Sequence, residues 1–121
     1  MTLAKKELIK AMLKSIETDD PGPLAVVNED KYIQHTPQTH EGSQGFAALF
    51  QQLSKTSPRV NIVQAFEDGD FALGVSEGNF NGDHCAFYDL LRLVDGKIVE
   101  HWDTIEMIAP RQDWKNNNGK F

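Results

Sequence analysis

The chain has 121 residues, 40% of them apolar and 25% charged, with one cysteine and a net charge of −6. That length and composition predict a single globular domain over residues 1–121, large enough to hold a core without metal or disulfide staples and with no run able to cross a bilayer. The acidic balance argues against a nucleic-acid partner. The lone Cys85 leaves no internal disulfide, in keeping with a reducing, cytoplasmic setting.

Residues 4–18 carry Leu8, Ile9, Met12, Leu13 and Ile16 on one helical face, with Lys6, Lys10, Lys14 and Glu17 largely opposite, which predicts an amphipathic helix. The segment is charged throughout, so it is not expected to be a signal peptide. "DDPGP" breaks it, and Pro23 suits the first position of a second short helix running to about Glu29. Pro37 pushes Thr36 toward extended geometry, so Tyr32–His35 is predicted as a short extended piece. "HEGSQGFAALFQQLSKT" predicts a third helix capped by Ser43, with Phe46, Leu49, Phe50 and Leu53 at helical spacing.

After Pro58 the apolar period falls to 2. "RVNIVQAFE", "FALGVSEGNF", "HCAFYDLLRLV" and "KIVEHWDTIEMI" predict four strands, separated by the turn signals "DGD", "NGD" and "DG". Residues 110–121 are predicted as a polar, irregular tail. Helices followed by an antiparallel meander make an α+β fold, in which three N-terminal helices pack on a curved, mostly antiparallel sheet and leave a cone with a cavity at its open end.

The last hairpin holds the candidate site. A strict two-residue turn at Asp95–Gly96 pairs Val94 with Lys97 and sets Tyr88 beside Asp103. A bulged turn pairs Leu93 with Lys97 and gathers Phe87, Asp89, Leu91 and Leu93 with Val99, His101, Asp103 and Ile105 on one face. The second register is preferred because it buries most apolar residues of both strands together. It also places Asp89, His101 and Asp103 on an apolar face, where ionisable groups are costly unless paired, hydrated or useful. Trp102 and Tyr88 then face outward, where a partner copy could pack.

"YIQHTP", the following "EG" with its helix, "YDLLRLVDGKIVEHWDT" and the ending "NNNGKF" together resemble the SnoaL-like branch of the nuclear transport factor 2-like superfamily. The resemblance implies a cone-shaped α+β barrel with a deep apolar pocket and a homodimer formed through the sheet. Relatives of this type include polyketide cyclases that close rings by aldol condensation, and ketosteroid isomerases and limonene-type epoxide hydrolases share the wider fold. By the same resemblance Asp103 matches a general acid/base on the last strand and His35 a pocket histidine. Asp89 falls where the cyclases usually carry a histidine.

These observations set the functional expectations. Asp103 is the expected base, with His35 and His101 as polarising or orienting groups. Asp89, Phe87, Leu91, Val99, Ile105 and Tyr32 are the expected pocket residues. The ligand is expected to be an apolar or carbonyl-containing small molecule, handled by aldol-type cyclisation or isomerisation without a cofactor. The alternatives are a ligand-binding module without catalysis and a dimeric interaction module. No metal site is expected, because His35 and His40 lie in a loop without helical ligand spacing. Cys85 and His84 are neighbours on a strand and point to opposite faces, which disfavours a thiol nucleophile.

Overall fold

The computed structural model describes residues 4–17, 32–35, 48, 59–80 and 82–121. The expected second helix lies outside the described residues, as does the expected third helix with its Ser43 cap, apart from the helical Ala48. Within them, helix α1 (Lys5–Ser15) is followed by strands β1 (Ile33–Gln34), β2 (Arg59–Asp68), β3 (Phe71–Phe80), β4 (Asp83–Val94) and β5 (Lys97–Met107). The strands form one sheet in the order β1-β5-β4-β3-β2. β1 runs parallel to β5, and every other pair is antiparallel. The expected α+β class is therefore realised, with α1 packed on a mixed, mostly antiparallel sheet. No helix among the described residues is long and apolar enough to cross a membrane.

Helix α1 ends before the expected boundary because its last residues do other work. Ser15 Oγ donates to Met12 O at 2.6 Å. Glu17 accepts from the Val60 amide at 2.8 Å, and Lys14 Nζ donates to the Val60 carbonyl at 3.0 Å. Lys14 and Glu17 also pair with each other at 2.8 Å. These contacts satisfy backbone groups of β2, an edge strand whose outward amides and carbonyls would otherwise be left to water. Hydrogen bonding from Lys14, and then from the Val60 amide, holds the Glu17 carboxyl below its ordinary range.

The apolar stripe predicted for α1 is the part that docks. Ile9, Met12 and Leu13 are buried against Val60, Ala65, Ala72, Leu91, Leu93 and Ile98. Each fully buried large aliphatic side chain contributes about 1.5–3 kcal/mol. Close seating depends on Gly74 of β3, where an added Cβ would stand 2.8 Å from Leu13 Cδ1 and 3.1 Å from Ile9 Cδ1. Two irregularities bend the sheet. Val63 is an extra residue in β2 between Ile62 and Gln64, and Val99 is one in β5 opposite Arg92 and Leu93. Extra residues of this kind curve a strand and increase its twist.

The tail contains a short 3-10 turn, Arg111–Asp113, and is otherwise irregular. It is tied back by the Lys120–Glu106 ion pair at 2.6 Å and by Phe121, whose ring lies 6.0 Å from that of Tyr88.

The opposition of β2 and β3 is tightest at Gly78, which pairs with Val60. A Cβ there would collide with the Arg59 carbonyl oxygen, which is backbone and cannot step aside. Gly78→Ala is therefore expected to cost about 3 kcal/mol in urea denaturation, against about 1 kcal/mol for Gly74→Ala, which meets only side-chain tips. Equal losses would contradict this packing.

Candidate functional site

The β4–β5 hairpin decides the site. Asp95 (φ 53°) and Gly96 (φ 76°) both occupy the left-handed region. This is the two-residue turn that right-twisted strands favour, and Asp–Gly supplies it at low steric cost. It pairs Val94 with Lys97 and Leu93 with Ile98, not Leu93 with Lys97 as expected. The bulge lies further along, at Val99, after which Arg92 pairs with Glu100. One extra residue restores the expected face with different partners: Asp89 opposes Asp103, Leu91 opposes His101 and Phe87 opposes Ile105.

Three ionisable groups thus meet. His101 is buried, with 5% of its surface exposed. Its Nε2 lies 3.0 Å from Asp89 Oδ1 and its Nδ1 lies 3.1 Å from Gln34 Oε1. Asp89 and Gln34 thus flank the ring, one at each of its two nitrogens. Gln34 Nε2 donates in turn to the Tyr32 hydroxyl at 3.1 Å. Tyr32 is buried, and desolvation first, then the negative charges of Asp103 and Asp89, raise its phenol well above its ordinary range. Its hydroxyl therefore keeps its proton.

Asp89 and Asp103 look into a cavity of about 70 Å³ between α1 and the sheet. Leu13, Ile16, Val60, Phe80, Phe87 and Ile105 form its apolar wall, and Ser76, Asn79 and Thr104 also line it. The expected pocket residues divide accordingly. Phe87, Asp89, Asp103 and Ile105 line the cavity. Leu91, Val99 and Tyr32 are buried but are not among its described lining. His101 reaches it through Asp89.

His35 is elsewhere. Its ring stacks on Trp102 with centroids 4.7 Å apart, and its Nε2–H donates to Glu100 at 2.6 Å. Glu100 also accepts from Arg92 Nε at 2.8 Å. Trp102 pairs with Leu90, on the face opposite Asp103. The expectation of His35 in the pocket is thus corrected by strand alternation: in "YIQH", Gln34 pairs with His101 and faces inward, so His35 faces outward. Gln34, Ser76, Asn79 and Thr104 are polar groups of the site that the sequence expectations do not include. The signal for Gln34 was the alternation itself, and Ser76 had none beyond its place in a strand.

Asp89, His101 and Asp103 present ligand atoms all within 4.8 Å of one another, a set able to hold a divalent cation. Ligand spacing along the chain predicts no metal site; the cluster arises because β4 and β5 bring the three together. Cys85 is buried, and desolvation, followed by the charge of Asp83, raises its thiol, which suits a packing role.

Residues 9–101 match the family model described as SnoaL-like domain. No protein of curated function matches the chain by sequence. Among solved structures, a Kribbella flavida protein provisionally named a ketosteroid isomerase is 14% identical, with a TM-score of 0.75 over 95% of this chain and 90% of that one. IdmH from Streptomyces antibioticus, provisionally a polyketide cyclase, is 19% identical, with a TM-score of 0.65 over 83% and 90%. A de novo designed protein with a curved β-sheet is 17% identical, with a TM-score of 0.73 over 86% and 88%. At these identities the likeness is one of fold.

The outer-face network makes a pH prediction. Hydrogen bonding from His35, and then from Arg92, holds the Glu100 carboxyl below its ordinary range against the opposing effect of desolvation. A depressed carboxyl stabilises the fold above its unfolded value of about 4.3 and loses that contribution as pH falls through the folded value. Glu100→Gln is expected to lower Tm by a few degrees at pH 7, with the deficit closing below about pH 4. A deficit of the same size at pH 3 would contradict it.

Proposed function

The chain belongs to the SnoaL-like domain family, and from that membership and the cavity's geometry we propose that it performs acid–base chemistry on a carbonyl-containing small molecule. Asp103 is the proposed base. The observation that carries this reading is the direct opposition of Asp89 and Asp103 at the wall of an apolar cavity, with His101 bonded to Asp89. His101 bonds one of the two carboxyl groups, and both line the cavity.

In the proposed step, Asp103 takes a proton from the carbon beside the carbonyl, and the electron pair moves onto the carbonyl oxygen as an enolate. Returning the proton at another carbon gives isomerisation. Attack of the enolate carbon on a second carbonyl forms a carbon–carbon bond, and the resulting alkoxide recovers the proton from Asp103, giving an aldol-type ring closure. Ketosteroid isomerase and polyketide cyclase, the names carried by two structural neighbours, describe these two outcomes. Both need only positioned donors and acceptors. A His101–Asp89 pair that serves only itself favours a second reading, a binding cavity without turnover.

The same fold suggests a homodimer through the outer face of the sheet. Phe66, Leu73, Leu90 and Trp102 form one cross-strand row there, with Phe66 51% exposed. An apolar row of this kind suits a second copy of the chain.

Two measurements test these proposals. Deuterium entry at the α-carbons of cyclohexanone in D₂O, followed by NMR, is expected with the wild-type chain and is expected to fall at least about 100-fold in Asp103→Asn. An unchanged rate removes Asp103 as the base, and binding without exchange supports the non-catalytic reading. Light scattering is expected to give the dimer mass for the wild type and the monomer mass for Phe66→Glu. A monomeric wild type refutes the dimer.

A further inference from the structure

Ser76 is the one buried side-chain polar atom without a hydrogen-bond partner among the described residues. It is 1% exposed. It lies in the middle of β3, where it pairs with Phe87 on one side and Ile62 on the other, and it lines the same cavity as Asp89 and Asp103. An unmatched buried hydroxyl costs about 1–3 kcal/mol in desolvation. A strand position facing an apolar cavity is the natural place for alanine or valine, so the hydroxyl calls for a partner that the described residues do not supply.

The donors available to a ligand in this cavity narrow the choice. Asp89 and Asp103, as carboxylates, only accept. Both ring nitrogens of His101 are engaged, by Gln34 and by Asp89. Asn79 accepts from the Arg59 amide through its side-chain oxygen and carries its NH2 donor on a half-buried residue, and Thr104 is exposed. Among the described lining residues, the Ser76 O–H is therefore the fully buried neutral donor. The carboxylates disfavour an anion, and the apolar wall favours an uncharged body.

We infer that Ser76 anchors the ligand, donating its hydroxyl proton to the carbonyl oxygen of a neutral, mostly apolar compound. This rests on the carbonyl chemistry proposed above and adds to it: Ser76 holds the oxygen, while Asp103, two strands away, faces the carbon beside it. The developing negative charge on that oxygen during enolisation would strengthen the same hydrogen bond.

The test compares cyclohexanone with methylenecyclohexane, which has the same shape but no acceptor oxygen. Binding of each to the full chain is measured by NMR titration, for wild type, Ser76→Ala and Asp103→Asn. The wild type is expected to bind the ketone about tenfold more tightly than the hydrocarbon. Ser76→Ala is expected to erase that preference, leave hydrocarbon binding unchanged and keep the wild-type Tm or raise it, since a buried hydroxyl without a partner is removed. Asp103→Asn is expected to retain the preference, so failure of the base assignment leaves this inference standing. The inference is overturned if the wild type binds neither probe or shows no preference, or if the preference survives in Ser76→Ala. A fall in Tm of several degrees in Ser76→Ala would assign the hydroxyl a structural partner and overturn it equally.

Discussion

Everything in the site depends on one extra residue in β5. The Asp95–Gly96 turn, taken alone, would set Tyr88 opposite Asp103. Val99, bulged opposite Arg92 and Leu93, advances the register by one and sets Asp89 there instead. Because side chains alternate between faces with a period of 2, that single step moves a whole strand's worth of residues from one face to the other. It brings Leu91 to the core and Asp89 to the cavity, and it leaves Trp102 and Tyr88 outside.

The charges that the bulge turns inward are tolerable because each is given company. Asp89 meets His101, His101 meets Gln34, and Gln34 meets Tyr32, so that a buried histidine has acceptors on both ring nitrogens. The short strand β1 exists in part to deliver this support. It is only Ile33–Gln34, yet it pairs with Glu100 and His101 and carries Gln34 to the inner face. On the outer face the next residue, His35, joins Arg92, Glu100 and Trp102 in a separate network. Two adjacent residues thus serve opposite sides of the sheet, one bonded to His101 on the inner side and one in a clasp that ties β1 to β5.

The fold itself says little about chemistry. A designed protein shares it as closely as natural proteins named for isomerisation and cyclisation do. What separates them is the set of groups that the curved sheet holds around its cavity, which is where function has to be argued. Among the described residues that set is two opposed carboxyl groups, one histidine behind them, one buried hydroxyl, the side chains of Asn79 and Thr104, and an apolar wall.

The α+β class, the docking face of α1 and all four long strands were legible in the sequence, because each depends on local periodicity and on turn residues such as Asp95–Gly96. The shared face of Asp89, His101 and Asp103 was legible too, since only one parity of pairing sets Phe87 and Leu91 on the same face as Ile105. The pairing within that face was not, because a bulge at Val99 leaves no compositional mark and is settled by how β4 and β5 twist together. Nor could the motif "YIQH" say which of its residues looks inward. That was decided by the parallel pairing of β1 with β5, a contact across 67 residues of chain that brings Gln34 Oε1 to His101 Nδ1. Ser76 is the extreme case. Its identity is plain in the sequence, but its lack of a partner among the described residues is a property of all those neighbours at once, and only the tertiary structure supplies them.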